Sequence, residues 1–202
     1  MTPTMPFAKA YLINLDARPD RLERSTRILG SAGVPFERFP GASYKAPLLS
    51  DLYNLWVDEP HVGYYGCLMS HLFVLRKARD EGLENVLIIE DDVVLSDDFA
   101  ERAPAMLAEL MALPSWDMFF FHGRGATPCS PGSAISRLDI PPWRTQMYAV
   151  NKGMIARLAR TIETSRGEWW LYPIDAVYVS YVRGEIYCPL GPDMTSQFGD
   201  KP

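Results

Sequence analysis

Residues 85–92 read Asn85-Val-Leu-Ile-Ile-Glu90-Asp91-Asp92, and Val93-Val94-Leu95 follow. Val86 to Ile89 is a short apolar, β-branched run, which reads as a strand buried on both faces. It ends in three adjacent carboxylates, and the chain then turns apolar again. Burying an unpaired carboxylate costs several kcal/mol, or the group protonates instead. Two local readings remain open. A divalent cation with a preference for oxygen ligands would compensate the charge and could bridge a diphosphate. Alternatively, the acids are solvated at the strand's end and cap the next turn.

Working outward, similar runs recur. Ala8 to Leu15, Val34 to Phe39, Met118 to Phe121, Gln146 to Val150 and Ile186 to Leu190 read as further strands. Between them the periodicity predicts helices over Arg21–Ala32, Cys67–Arg79, Phe99–Leu113, Asn151–Ser165 and Ile174–Val182. Gly33 is placed to cap the first of these and Ser96 to Asp98 to cap the third. A short helix is expected around Leu48 to Trp56, closed by Pro60. His122 to Trp143, rich in Gly, Pro and Ser, reads as an irregular functional loop or flap. The sequence predicts an α/β fold, with a mostly parallel central sheet flanked by helices, in one domain spanning 1–202. In such sheets ligands bind at the carboxyl ends of strands. Asn14 to Arg18, the acids after Ile89, and His122 all fall there.

Composition narrows the function. The chain has 202 residues, 48% hydrophobic and 22% charged, with a formal net charge of −5. That supports a full core and argues against a nucleic-acid partner, which calls for a basic face. No apolar run reaches the roughly 18 residues of a transmembrane helix. The opening residues lack the charged and apolar regions of a secretory signal, so a cytoplasmic location is expected. Cys67, Cys129 and Cys188 form no C-x-x-C pattern, which disfavours structural zinc. Cys67 and Cys188 read as core fillers.

Four blocks together resemble glycosyltransferase family 25, the lipopolysaccharide-biosynthesis and collagen-galactosyltransferase type. They are Tyr11-Leu-Ile-Asn-Leu-Asp16 with Arg18-Pro-Asp-Arg21, Gly66-Cys-Leu-Met-Ser-His71, Leu87-Ile-Ile-Glu-Asp-Asp92, and Tyr148-Ala-Val-Asn-Lys-Gly153. Pro173-Ile-Asp175 also sits where the family has Pro-x-Asp. The resemblance implies a GT-A nucleotide-binding fold and a UDP-sugar donor. It also implies manganese (or magnesium) and inverting transfer of a hexose, most often galactose. The acceptor would be a saccharide or lipid-linked glycan, handled from the inner face of a membrane with peripheral association. By the same resemblance Glu90-Asp91-Asp92 is the DXD-like motif, with Asp92 ligating the metal and Glu90 facing the ribose or a metal-bound water. The chain is short for the family and lacks a late His. A third protein ligand would have to be His122, Asp193 or Gln197.

Roles follow residue by residue, each beside its plainer alternative. Asn14, Asp16 and Arg21 are candidate nucleotide contacts, against helix capping and a solvated helix face. Ser70 and His71 are candidate contacts near the nucleotide, against a satisfied core histidine. Asp91 helps bind the donor or supports the turn. Asp175 is the expected general base for the acceptor hydroxyl, with Glu168 and Asp139 as rivals. Trp143, Trp169 and Trp170 are candidate acceptor-stacking residues, against core or lid positions. Loop closure over 123–144 would exclude water. A non-catalytic saccharide- or protein-binding member is the alternative function. A two-metal phosphohydrolase lacks the second acidic cluster it would need.

Overall fold

The protein is described from a computed structural model over residues 5–43, 59–123, 127–164 and 172–198. The helix expected around residues 48–56, Glu168, and Trp169 and Trp170 lie outside these residues. Seven strands form the main sheet in the order β2-β1-β3-β7-β5-β8-β6. They are β1 (Lys9–Asn14), β2 (Glu37–Pro40), β3 (Asn85–Glu90), β5 (Met118–Phe120), β6 (Ile135–Leu138), β7 (Met147–Asn151) and β8 (Ile186–Pro189). β2, β1, β3, β5 and β8 run one way; β7 and β6 run the other. The sheet is mostly parallel, as expected, with β7 inserted antiparallel between β3 and β5. This reversal matters for the site, because it puts the start of β7 beside the end of β3, where Ile89 faces Met147.

Strand side chains alternate between two cores, as the period of two requires. On one face Tyr11, Ile88, Phe120 and Tyr148 pack among residues of α2 (Glu59–Asp80), α4 (Lys152–Thr164) and α5 (Ile174–Tyr181). On the other, Leu12, Leu87, Ile89 and Phe119 meet α1 (Pro19–Ser31) and α3 (Phe99–Ala112). Each fully buried Leu, Ile or Phe contributes about 1.5–3 kcal/mol, so the apolar runs set the layers. α1 begins with Pro at its first turn, where the missing N–H costs nothing. The chain leaves it through Gly33 at φ +68°, a left-handed position that glycine adopts without strain.

Four local readings need correction. α2 is described from Glu59, earlier than the expected Cys67, and Pro60 lies within it; the helix that Pro60 was expected to close lies outside the described residues. The 122–143 segment is not wholly irregular: Ile135–Leu138 pairs with β8 and completes the main sheet. A flap spanning 123–144 would have to break that ladder, so closure of the whole segment is ruled out as first stated. The polar tail holds β9 (Thr195–Gln197), antiparallel to β4 (Val93–Leu95) in a separate two-stranded sheet. Finally, Asp98 stands at the N-cap of α3 without a side-chain cap bond. Its carboxylate is engaged by Ser96 and Arg102 instead.

Candidate functional site

β1 and β3 are adjacent and parallel, so Asn14 and Glu90 emerge at the same end of the sheet. The following residues form a cleft of about 240 Å³. Arg18 and Arg21 line it from the first strand-to-helix turn, Cys67, Ser70 and His71 from α2, and Glu90, Asp91 and Asp92 from the end of β3. Ala42 and Ser43 approach from the loop after β2.

The three acids stand in three different environments. Asp91 is neutralised: its carboxylate accepts from Asn14 Nδ2 at 2.8 Å and Arg21 Nη1 at 3.0 Å. Ser25 Oγ donates to its backbone carbonyl at 2.8 Å, which fastens α1 to this turn. Glu90 Oε1 accepts from Thr145 Oγ1 at 2.5 Å and lies 3.4 Å from His71 Nε2. The His71 contact has ion-pair distance but not hydrogen-bond alignment, since Nε2 has no hydrogen-bond partner. Burial pushes the Glu90 carboxyl up, but His71, Thr145 and His122 together outweigh it and hold it below its usual range. Asp92 is the strained member. Burial, reinforced by the charges of Glu90 and Asp91, lifts its carboxyl from 3.8 to about 6, against the pull of Arg21. Arg21 Nη1 is 3.8 Å away, and Asp92 Oδ1 is buried with no partner.

Unpartnered atoms gather here. Among the described residues, the buried side-chain atoms without a hydrogen-bond partner are His71 Nε2, Asp92 Oδ1, His122 Nδ1 and Gln146 Oε1. His71 and Asp92 line the cleft. Gln146 is tied to it because its carbonyl accepts from Glu90 N at 2.9 Å. Buried polar groups are normally paired, so the two unpartnered atoms on the cleft wall point to a ligand there. A buried, unpartnered carboxylate oxygen among like charges fits a hard divalent cation. Of the late candidates for a further ligand, Asp193 accepts from Gly123 N at 2.9 Å, and Gln197 lies on β9 opposite Val93. His122 keeps an unpartnered Nδ1; its Nε2 lies 3.0 Å from the Trp143 carbonyl, and burial holds its pKa below the usual value.

The remaining sequence candidates fall in varied places. Asn14 is buried beneath the cleft: besides Asp91 it donates to the Arg18 carbonyl at 2.9 Å and accepts from Arg38 Nε at 3.0 Å. Asp16 is exposed and pairs with Arg38. Ser70 Oγ donates to the Gly66 carbonyl at 2.6 Å and accepts from Ala42 N at 2.8 Å, fixing the loop after β2 against α2. Asp175 lies in the first turn of α5 and accepts from Arg144 N at 2.9 Å and Ala176 N at 2.8 Å. Arg144 has φ +80°, a conformation that costs a bulky residue about 1–3 kcal/mol, and Asp175 helps hold it. Asp175 is not among the residues that line the cleft, though its charge is one of those that raise the Cys67 thiol. Trp143 is 61% exposed and directly precedes Arg144, whose N–H bonds Asp175.

Sequence reasoning missed Arg38, Thr145 and Tyr148. Arg38 and Thr145 act through contacts distant in sequence that no local pattern announces; Tyr148 opens the fourth family-like block, but its contact with His71 is equally distant and does not show there. Cys67 packs against the core as expected but also lines the cleft, which was not expected; Cys188 is buried as expected. The Cys67-x-x-x-His71 spacing was a usable signal, because residues four apart share a helix face.

An open, mostly parallel sheet with a carboxylate-lined cleft at its strand ends is an α/β architecture of GT-A-like type, the kind of sheet in which ligands bind at strand ends. The family model for glycosyltransferase family 25 (LPS biosynthesis protein) matches residues 7–123, and the chain belongs to that family. A glycosyltransferase 25 family member of Aedes aegypti is 26% identical over 129 residues, covering 58% of this chain and 21% of that protein. Procollagen galactosyltransferase 1 of Danio rerio is 25% identical over 150 residues, covering 68% and 25%. An inactive glycosyltransferase 25 family member 3 of Mus musculus is 25% identical over 137 residues, covering 61% and 23%. The matches thus take in a quarter or less of these relatives' lengths. Among solved structures, a glycosyltransferase involved in the glycosylation of the major capsid of PBCV-1 aligns with TM-score 0.54 and 13% identity. That alignment covers 90% of this chain and 80% of the other, a likeness of fold.

Proposed function

We propose that the protein is a metal-assisted, inverting glycosyltransferase that moves a hexose, galactose for preference, from a UDP-sugar to a saccharide or lipid-linked glycan hydroxyl. The observation that carries this reading is Asp92 Oδ1, buried and unpartnered on the cleft wall of a family 25 fold. Asp92, with Glu90 beside it, would hold Mn²⁺ or Mg²⁺; the ion, when bound, supplies positive charge to the diphosphate leaving group. Arg18 and Arg21 line the same cleft and carry guanidinium groups suited to phosphate oxygens. Asn14 and Asp16 serve the nucleotide from behind: Asn14 fixes Asp91, and both fix Arg38. Ser70 and His71 form the opposite wall.

Asp175 is the proposed base. Its carboxylate is fixed by two backbone N–H groups, and it would accept the acceptor hydroxyl's proton as that oxygen attacks the sugar carbon. Trp143, one residue before the Arg144 N–H that bonds Asp175, offers an exposed indole for the acceptor's sugar face. Trp169 and Trp170 remain proposed for the same task on sequence grounds. The test is transfer from a panel of UDP-hexoses to a panel of saccharides, followed by product stereochemistry. Asp175→Asn should lower kcat by about 10²–10⁴-fold with donor affinity unchanged; near-normal turnover would remove Asp175 from the role. A binding-only member is the second reading, since one matched relative is described as inactive. It predicts donor or saccharide binding with no transfer to any acceptor.

A further inference from the structure

The cleft wall holds a second arrangement of ligand-type atoms, apart from Asp92. Cys67 Sγ, His71 and Glu90 each offer one atom, and the three atoms lie within 4.8 Å of one another. Cys67 and His71 stand four residues apart on α2, and Glu90 ends β3. All three therefore sit on regular elements, and all three line the cleft, which gives an ion a way in.

His71 supplies the independent observation. Its side chain is 1% exposed. Nδ1 is 2.7 Å from Tyr148 Oη, which is 2.9 Å from Tyr178 Oη. That chain satisfies one ring nitrogen and fixes the ring's orientation, as outer partners do for metal-binding histidines. Nε2 is left buried, unpartnered and turned toward Glu90. If Nδ1 carries the proton, a lone pair faces a carboxylate at 3.4 Å, an arrangement that a cation between them would relieve.

We propose that Cys67, His71 and Glu90 form a site for Zn²⁺ that borders the oxygen-ligand position at Asp92 and shares Glu90 with it. One sulfur, one imidazole nitrogen and one carboxylate oxygen are a donor set that favours zinc over manganese. Three protein ligands leave a fourth position open toward the cleft, the pattern of an exchangeable zinc. Around a tetrahedral ion such ligands stand about 3.5 Å apart, a contraction of about 1 Å that side-chain rotation can supply. Burial and the charges of Glu90, Asp175 and Asp92 push the Cys67 thiol up, so it is protonated without an ion. The same negative field attracts a dication, and binding releases the thiol proton. This inference needs no sugar donor and stands whether or not the transferase reading does.

The direct test is titration of the full chain with Co²⁺ as a spectroscopic stand-in for zinc, then displacement by Zn²⁺. The expected result is a thiolate-to-cobalt charge-transfer band saturating at one ion per chain. It should persist in Cys129→Ser and in Asp92→Asn and vanish in Cys67→Ser. Zinc affinity measured by competition should fall about 100-fold or more in Cys67→Ser. A second readout uses the unaltered protein: zinc should slow alkylation of Cys67, mapped by mass spectrometry, and leave exposed Cys129 reacting as before. Absence of the band in the unaltered protein, its loss in Cys129→Ser, or alkylation of Cys67 indifferent to zinc would each overturn the proposal.

Discussion

Replacing Asp92 by Asn should make the ligand-free protein more stable near neutral pH. The carboxyl's pKa is lifted from 3.8 to about 6 by burial and by its acidic neighbours. A group whose folded pKa is raised contributes its stability below the unfolded value and loses it as pH climbs through the folded value. For Asp92 the window runs from about pH 4 to pH 6, and above it the ionised carboxylate opposes folding. Two units at about 1.36 kcal/mol each give about 3 kcal/mol. The side chain is 20% exposed, so little solvent screening reduces this figure. Asn keeps the shape and removes the charge, so Asp92→Asn should gain up to about 3 kcal/mol at pH 8, or roughly 6–12 °C in Tm for a chain of this size. Below pH 4 the two proteins should converge. Thermal unfolding followed by circular dichroism across pH 3.5–8, in EDTA, reads this directly. If Asp92→Asn is neutral or destabilising at pH 8, Asp92 is not strained, and the argument that its charge awaits a cation fails.

Three further outcomes follow from the geometry. Asn14→Ala removes partners from Asp91, Arg38 and the Arg18 carbonyl at once; urea unfolding should show a loss of about 2–4 kcal/mol, and an unchanged midpoint would contradict the clamp. Tyr148→Phe leaves His71 Nδ1 and Tyr178 Oη without their buried link, so a loss of about 1–3 kcal/mol is expected in the same assay. Gly66→Ala puts a Cβ 2.9 Å from the Ala42 carbonyl oxygen and should drive the loop after β2 off α2. Stability should drop by about 1–3 kcal/mol, with faster amide exchange at Ala42, whose N–H bonds Ser70.

The layers of the fold were legible because β1, β3 and β5 are apolar enough to admit few alternatives. Their direction was not, since a strand buried on both faces shows the same hydrophobicity whichever way it runs, and β7 is the case in point. β6 (Ile135-Ser-Arg-Leu138) and β9 (Thr195-Ser-Gln197) escaped notice because their short runs are largely polar, unlike the equally short Met118-Phe-Phe120 of β5. The acidic triplet stood out because charge interrupts a core strand. What the sequence could not show is how differently its three carboxylates are placed. Asp91 is tied down by Asn14 and Arg21, Glu90 faces His71 and Thr145, and Asp92 is left with an unpartnered oxygen. Those differences come from contacts between α1, α2, β3 and the segment before β7.

The most direct test of the central claim is calorimetric titration of the full chain with UDP, in Mn²⁺ and again in EDTA, on the unaltered protein and on Asp92→Asn. Binding should be saturable, require the metal and be weakened about tenfold or more by the substitution, equivalent to about 1.4 kcal/mol or greater. In a melting experiment at 100 times the dissociation constant, the ligand should add about 2.7 kcal/mol. UDP binding equally well in EDTA, or equally well to Asp92→Asn, would contradict a metal-held diphosphate at this carboxylate. No binding at millimolar UDP with Mn²⁺ would contradict the donor site altogether.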